Sequence, residues 1–297
     1  MRSVFSKLIV EAAQADPKVL LLTGDHGYAL FDEYRKLLSD QFINAGIAEQ
    51  NMVGVAAGLA KAGFKPIVYG LSAFVPVRVL EQIKMDICYE KLPVVFIGDG
   101  AGVVYSSLGS SHQSTEDIAV LRPIPNIQIL SPCDAHEMEY TMTHALHFKA
   151  PVYLRMGKSD VGDVHSQPLS RPIGDLIPVK SGNNKKIAFL ATGSMVKTAI
   201  TLAETLGDYC VWSVPSIKPI NESQVVTIAQ SASDIVTLEE HTMTGGLGSL
   251  IAEIVSQTAC ARVIRLGVRD CFSEKCGSYN YLIKEHGLDA ATLTQKL

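Results

Sequence analysis

The chain has 297 residues, 47% hydrophobic and 19% charged, a globular balance that can fill one large core or two ordinary ones. A formal net charge of -4, with lysine and arginine scattered, leaves no footprint for nucleic acid. Residues 1–10 hold no apolar core of signal-peptide length, and no run reaches the roughly 18 apolar residues of a membrane span, so a cytoplasmic, non-membrane protein is expected.

Apolar runs rich in Val and Ile at 19–23, 66–71, 93–97, 127–130 and 152–154 read as strands, with helical patterns between them at 49–61 and 134–148. Short continuous apolar strands suit parallel sheets covered on both faces, and the strand–helix alternation argues an α/β fold. From 157 to 184 the chain is rich in Gly, Ser, Pro and Asp and loses periodicity. The pattern then restarts, with strands expected at 187–190, 210–214, 235–238 and 263–266 and helices at 195–206 and 247–257. Two α/β domains are therefore expected, at 1–157 and 185–297, joined by a linker at 158–184. The six cysteines form no C-x-x-C pair and read as idle thiols.

Glu49 follows a strand and opens a helix carrying Gly54, Ala56, Ala57, Gly58 and Ala60. By position alone it is an acid favoured at a helix N-terminus, and the small residues allow close approach of another element. Phe74 alone reads as a core aromatic, His112 as a loop histidine, and Arg155 as a strand-end arginine. Gly98-Asp99-Gly100 reads as a turn at a strand end.

Taken in order, these segments resemble the transketolases. Gly46-Ile47-Ala48-Glu49-Gln50 is similar to their catalytic-glutamate segment, and Leu71-Ser72-Ala73-Phe74 with Arg78 and Glu81-Gln82 to their pyrimidine-pocket helix. Gly109-Ser110-Ser111-His112-Gln113 resembles the substrate-histidine loop, Ser131-Pro132-Cys133-Asp134 the turn after it, and Pro151-Val152-Tyr153-Leu154-Arg155 the strand ending in a substrate arginine. Leu238-Glu239-Glu240-His241-Thr242 with Gly245-Gly246-Leu247-Gly248 resembles the C-terminal domain signature, so the resemblance spans essentially the whole chain.

The resemblance implies a pyrimidine-binding domain followed by a transketolase C-terminal domain, and thiamine diphosphate as cofactor. Glu49 would hydrogen-bond N1′ of the aminopyrimidine and so promote proton removal from thiazolium C2. Phe74 would pack on that ring, with Leu71 and Val77 standing where relatives often carry further aromatics, and Asp25 would lie near the cofactor. His112 would serve as a catalytic and substrate-binding residue, with Arg155, His26 and Gln113 also contacting substrate. No metal ligand is expected on this chain. Mg²⁺ and the diphosphate would be held by a separately encoded N-terminal subunit, in an α2β2 assembly in which this chain also associates with itself.

Several polar family positions are replaced. Leu108 stands where an Asp precedes the loop histidine, and Gly100 and Ala29 stand near places of a substrate histidine and a phosphate-binding serine. Loss of such groups implies an atypical sugar or sugar derivative, since buried polar pairing sets hydroxyl discrimination. The expected reaction is transfer of a two-carbon ketol unit from a ketose to an aldehyde. The rivals are the β subunit of a 2-oxo acid dehydrogenase, a non-catalytic assembly subunit, and a deoxyxylulose-phosphate synthase.

Overall fold

The computed structural model describes residues 1–158, 160–258 and 260–297. Helix α1 (Arg2–Ala15) leads to β1 (Val19–Thr23), α2 (Asp32–Leu37), β2 (Phe42–Asn44), α3 (Glu49–Lys61) and β3 (Lys65–Leu71). One turn of helix, α4 (Leu80–Gln82), runs on as a π-helix over Ile83–Cys88. Then come β4 (Val95–Asp99), α5 (Asp117–Leu121), β5 (Gln128–Leu130), α6 (Ala135–His147) and β6 (Val152–Met156). The second half holds β7 (Ile177–Lys180), β8 (Asn184–Ala191), α7 (Met195–Leu206), β9 (Tyr209–Ser213), β10 (Ser216–Lys218) and α8 (Glu222–Gln230). It closes with β11 (Asp234–Thr242), α9 (Leu247–Ser256), β12 (Arg262–Val268), α10 (Tyr279–Glu285) and α11 (Ala290–Thr294).

Two sheets form, a seven-stranded one in the order β10-β5-β6-β4-β3-β1-β2 and a five-stranded one in the order β12-β11-β8-β9-β7. Pairing is parallel except for β10 against β5 and β7 against β9. The expected two-domain α/β architecture is present, with helices over both faces of the first sheet. Phe5 and Ile9 of α1 pack with Met138 and Met142 of α6 on one face. Met52, Val53, Ala56 and Ala60 of α3 pack with Ile83 and Ile87 on the other. That second cluster runs without a break into Leu190, Val225, Leu247 and Ile251 of the second half. Among the described residues, no helix is long and apolar enough to cross a membrane.

The expected linker at 158–184 is not featureless. Residues 177–180 form β7, the edge strand of the second sheet. Only Ile177 is buried in this strand and Pro178 sits within it, so no apolar alternation marks it in the sequence. Strand β10 shows a second departure: it leaves the second half to pair with β5, so the first sheet draws strands from both sides of that span. It is three residues long, too short to carry a period.

The junction between the halves is polar as well as apolar. Buried Glu240 of β11 accepts from the Val103 backbone N–H at 2.7 Å, from Tyr279 OH at 2.6 Å and from Ser194 Oγ. Gly102 beside it has φ +75°, and a Cβ there would lie 2.3 Å from Glu240 Oε1, so only glycine lets the loop meet this carboxylate. Glu239 accepts from the backbone N–H groups of Leu247 and Gly248 at 2.7 and 2.8 Å, filling the N-terminus of α9 with its own carboxylate. A Cβ on Gly246 would fall 1.9 Å from Glu239 Oε2, which explains that glycine as close packing around the cap.

His241 is fully buried as the neutral tautomer: Nδ1–H donates to the Thr242 carbonyl at 2.7 Å, and Nε2 accepts from the Ala119 N–H at 3.3 Å. Protonation would destroy that acceptor in a fully buried site, and burial pushes the imidazole down to about 4 from 6.5. The unfolded chain therefore binds the proton more readily between these values. The stabilisation is complete above pH 6.5 and is lost as pH falls toward 4. Acidifying across that window should lower the unfolding free energy by about 3 kcal/mol. In His241→Gln the slope should flatten in urea titrations at stepped pH; an unchanged slope would assign the acid sensitivity elsewhere.

Candidate active site

The carboxyl ends of β1, β2, β3 and β4 release the loops that carry the residues of interest, the edge where open α/β sheets bind ligands. Asn44, the last residue of β2, accepts through Oδ1 from the N–H groups of Gly46 (2.9 Å) and Asp25 (3.3 Å), tying the turn before α3 to the loop after β1. Gly46 takes φ +69°, which turns the chain so that Glu49 becomes the first residue of α3. Its carboxylate is buried (4% exposed), whereas neighbouring Ile47 is 82% exposed. Alanines 56, 57 and 60 face the core, while Gly54 and Gly58 face outward with nothing within 4 Å of a built Cβ.

Glu49 is joined to Phe74 by one side chain, and through Phe74 to His112. Arg78 Nη1 donates to Glu49 Oε2 at 2.9 Å. The same guanidinium lies over the Phe74 ring, 4.1 Å from its centroid, a cation–π contact. On from there, Phe74 and His112 meet edge to face with centroids 5.4 Å apart. Glu49, Arg78, Phe74 and His112 thus form one row along the sheet edge, and Leu71 and Val77, three residues before and after Phe74 in the sequence, are half-buried. Arg78 stood in the pocket segment without a role; the carboxylate it binds comes from the start of α3, which no linear spacing shows.

The loops bearing Phe74 and His112 are fixed from below by one buried cluster. Ser72, two residues before Phe74, bonds Ser114 Oγ and Tyr153 OH, both at 2.9 Å. Ser114, two residues after His112, donates back to the Ser72 carbonyl and pairs its backbone with Gly102. Beneath them Asp117 Oδ2 accepts from Arg155 Nε at 2.8 Å, Tyr153 OH at 2.8 Å and Ser72 Oγ at 3.3 Å. Burial alone would raise the Asp117 carboxyl, but the Arg155 guanidinium overrides it and holds the group below the usual carboxylate range.

Arg155 therefore does not stand where the resemblance puts it. Its side chain is 2% exposed, and its donors go to Asp117 and to the carbonyls of Glu240 (2.8 Å) and Ser114 (3.4 Å). This arginine points sideways into the domain junction, not out from the strand end, and is spent on a buried ion pair. Gln113 is also drawn inward: Ser273 Oγ donates to its Oε1 at 2.7 Å, linking the His112 loop to the second half. His112 itself is half-buried, with Nδ1 3.0 Å from Ser111 Oγ.

On the loop after β1, Asp25 is exposed and accepts from Tyr28 OH at 2.9 Å. His26 stacks on Tyr69, and its Nε2 is buried with no partner among the described residues. Burial pushes this imidazole down, with nearby Glu49 acting in the opposite direction. Asp99 is taken up by Tyr69 OH and Tyr105 OH, each at 2.8 Å, and by Arg2, and Asn126 bonds the Cys88 carbonyl. Gly98-Asp99-Gly100 is thus a structural corner. Leu108 is exposed on the His112 loop.

The residues of the row fit the pyrimidine end of a thiamine cofactor: a buried carboxylate at a helix start, an aromatic ring linked to it through Arg78, and a buried imidazole nitrogen of His26 with no partner among the described residues. Fold and site together define a pyrimidine-binding α/β domain with an α/β partner domain packed behind it. The sequence matches the transketolase pyrimidine-binding domain over residues 1–163 and the transketolase C-terminal domain over residues 177–293. The chain belongs to the transketolase family.

It is 36% identical over 99% of its length to a 1-deoxy-D-xylulose-5-phosphate synthase of Caldanaerobacter subterraneus subsp. tengcongensis, but spans about half (48%) of that relative. It is 33% identical to one subunit of the apulose-4-phosphate transketolase of Actinobacillus succinogenes, covering 87% of this chain and 84% of that one. To a 6-deoxy-6-sulfo-D-fructose transketolase subunit of a Clostridium species it is 31% identical, covering 99% and 92%. A solved split-gene transketolase, described as an inactive β4 tetramer, superposes with a TM-score of 0.88 at 34% identity, covering 99% of this chain and 95% of that one. Relatives matched nearly end to end are thus subunits of split transketolases.

Arg155→Met leaves Asp117 as an uncompensated buried charge, so stability should fall by about 3–5 kcal/mol in urea unfolding. A loss below about 1 kcal/mol would show that the pair does not hold the floor of the site.

Proposed function

We propose that this chain is the pyrimidine-binding subunit of a two-chain transketolase that moves a two-carbon ketol unit from a ketose to an aldehyde. The observation that carries this reading is the continuous row Glu49–Arg78–Phe74–His112 on the carboxyl edge of the first sheet. The split-subunit names of relatives matched over most of their length support it. Thiamine diphosphate, when bound, supplies the electron sink for breaking and making a carbon–carbon bond beside a carbonyl.

The chain's own residues do the positioning. Glu49 offers Oε1 to the aminopyrimidine ring nitrogen and shares a proton there, while Oε2 stays with Arg78. Phe74 packs on the ring, Leu71 and Val77 exclude water around it, and Asp25 and His26 line its open side. His112 faces the substrate oxygens and moves protons at its exposed ring nitrogen. Gln113 holds that loop and contacts substrate only if the Ser273 bond opens.

Mg²⁺ and the diphosphate are held by a separately encoded N-terminal subunit, in an α2β2 complex working in the cytoplasm. Self-association uses the outer face of α3 and its neighbours, where Gly54, Gly58, Val55, Met85 and Tyr89 are exposed. The substrate is an atypical sugar or sugar derivative. Loss of polar side chains at Leu108, Gly100 and Ala29 supports this, as do the apulose phosphate and sulfo-sugar named for relatives.

The test is ketol transfer by this chain mixed with its co-purifying partner, thiamine diphosphate and Mg²⁺, with a panel of branched, sulfonated and ordinary ketoses. Glu49→Gln should cut kcat on the order of 10²–10⁴-fold. His112→Ala should lower kcat/KM while the chain stays folded. Full function of Glu49→Gln would leave a non-catalytic assembly subunit. Acyl transfer to lipoamide would favour the 2-oxo acid dehydrogenase. Formation of 1-deoxy-D-xylulose 5-phosphate would favour the synthase.

A further inference from the structure

Helix α6 opens on Cys133-Asp134-Ala135-His136-Glu137, away from the row just described. Asp134 caps it through Oδ1, which accepts from the Glu137 N–H at 2.9 Å, and Glu137 Oε2 accepts from the Cys133 N–H at 2.7 Å. This is a capping box displaced by one residue, and it uses one oxygen of each carboxylate. The remaining atoms exceed what a cap requires. Glu137 Oε1 and His165 Nε2 are both buried with no hydrogen-bond partner among the described residues, and they face each other at 3.7 Å. Cys133 Sγ closes the group: one ligand atom from each of the three residues lies within 4.8 Å of the others. Glu137 is wholly buried and Cys133 nearly so.

The tautomer of His165 is fixed from behind. Asp134 Oδ2 lies 2.9 Å from His165 Nδ1 and also accepts from the backbone N–H groups of His165 and Val164. With Nδ1–H donating to a carboxylate, Nε2 is the ring atom turned toward the carboxylate oxygen of Glu137. At 3.7 Å the two atoms are too far apart for a hydrogen bond, which leaves each without a partner among the described residues. Ligands of a tetrahedral zinc ion, bound at roughly 2.0–2.3 Å, stand about 3.3–3.8 Å apart. Each ligand has an orienting neighbour: Asp134 on the imidazole, the Cys133 N–H on the carboxylate, and Ser213 Oγ 3.8 Å from the Cys133 sulfur.

We infer that Cys133, Glu137 and His165 form a zinc site, with water as fourth ligand. The three ligands and Ser213 come from different parts of the chain: the β5–α6 turn with the first turn of α6, the segment between the two halves, and β9. The ion is therefore a structural clasp that pins the connecting segment to the first domain beneath the second. Burial pushes the Cys133 thiol up, so as the zinc–sulfur bond forms the thiol proton is lost to solvent.

The experiment uses the full-length chain, stripped with a chelator and then titrated with Zn²⁺ or Co²⁺. The expected result is one metal per chain by elemental mass spectrometry, and with Co²⁺ a thiolate-to-cobalt charge-transfer band in the near ultraviolet. That band should vanish in Cys133→Ser and persist in the Cys271→Ser, Cys276→Ser control, which removes the exposed thiols. His165→Ala should weaken binding at least about tenfold. It should also abolish the metal-dependent rise in thermal midpoint seen in the parent chain, and it decides the matter if Cys133→Ser does not fold. A folded parent chain that takes up no metal at stoichiometric Zn²⁺ would overturn the inference in favour of a water- or proton-bridged cap. Unchanged metal content or affinity in His165→Ala would also overturn it.

Discussion

The buried ion pair between Arg155 and Asp117 is the constraint on which the rest of this structure turns. Asp117 opens α5, Arg155 is the last residue but one of β6, and both side chains are buried. Removing both charges from water is costly, and the cost is offset only because every strong donor nearby is directed at them. Tyr153 and Ser72 join Arg155 at Asp117 Oδ2, while Asp117 Oδ1 is buried without a partner among the described residues, and the carbonyls of Glu240 and Ser114 accept from Arg155. Ser72 and Ser114 are in turn the roots of the loops that present Phe74 and His112. Glu240 belongs to the second half, so the pair also locks the two sheets together. Site geometry and domain docking therefore depend on one electrostatic unit.

That dependence accounts for features of the second half that otherwise look unrelated to the site. Glu239, Glu240 and His241 alternate along β11, with Glu239 capping α9 and Glu240 binding the Val103 loop beside the site. His241 stays neutral between two backbone partners while lying 4.0 Å from Asp117. The glycines at 102 and 246 exist because carboxylates occupy the space a Cβ would need. The second half thus reads as the outer wall of the cluster that carries the site.

Glu49, Phe74 and His112 could be picked out because each sits in a short segment beyond a strand end, and the structure brings the three together; their role is the proposal made above. The strands were legible where both faces are buried, as in β1, β4 and β6, since a continuous apolar run is then required. Strands β7 and β10 were not, because one is half-exposed and contains a proline and the other spans three residues. Arg155 was misplaced for a different reason. A strand-end arginine can project outward or fold sideways, and only the buried Asp117, distant in sequence, decides which. Arg78 went without a role for the same cause: the carboxylate and the ring it bridges lie on separate loops.

The central claim is that the row from Glu49 to His112 is half of a shared cofactor site. Calorimetric titration of thiamine diphosphate with Mg²⁺ into this chain, into its co-purifying partner, and into their mixture tests it most directly. The account predicts stoichiometric binding by the mixture alone, with one cofactor per pair of chains. Equal affinity and stoichiometry for this chain by itself would contradict it.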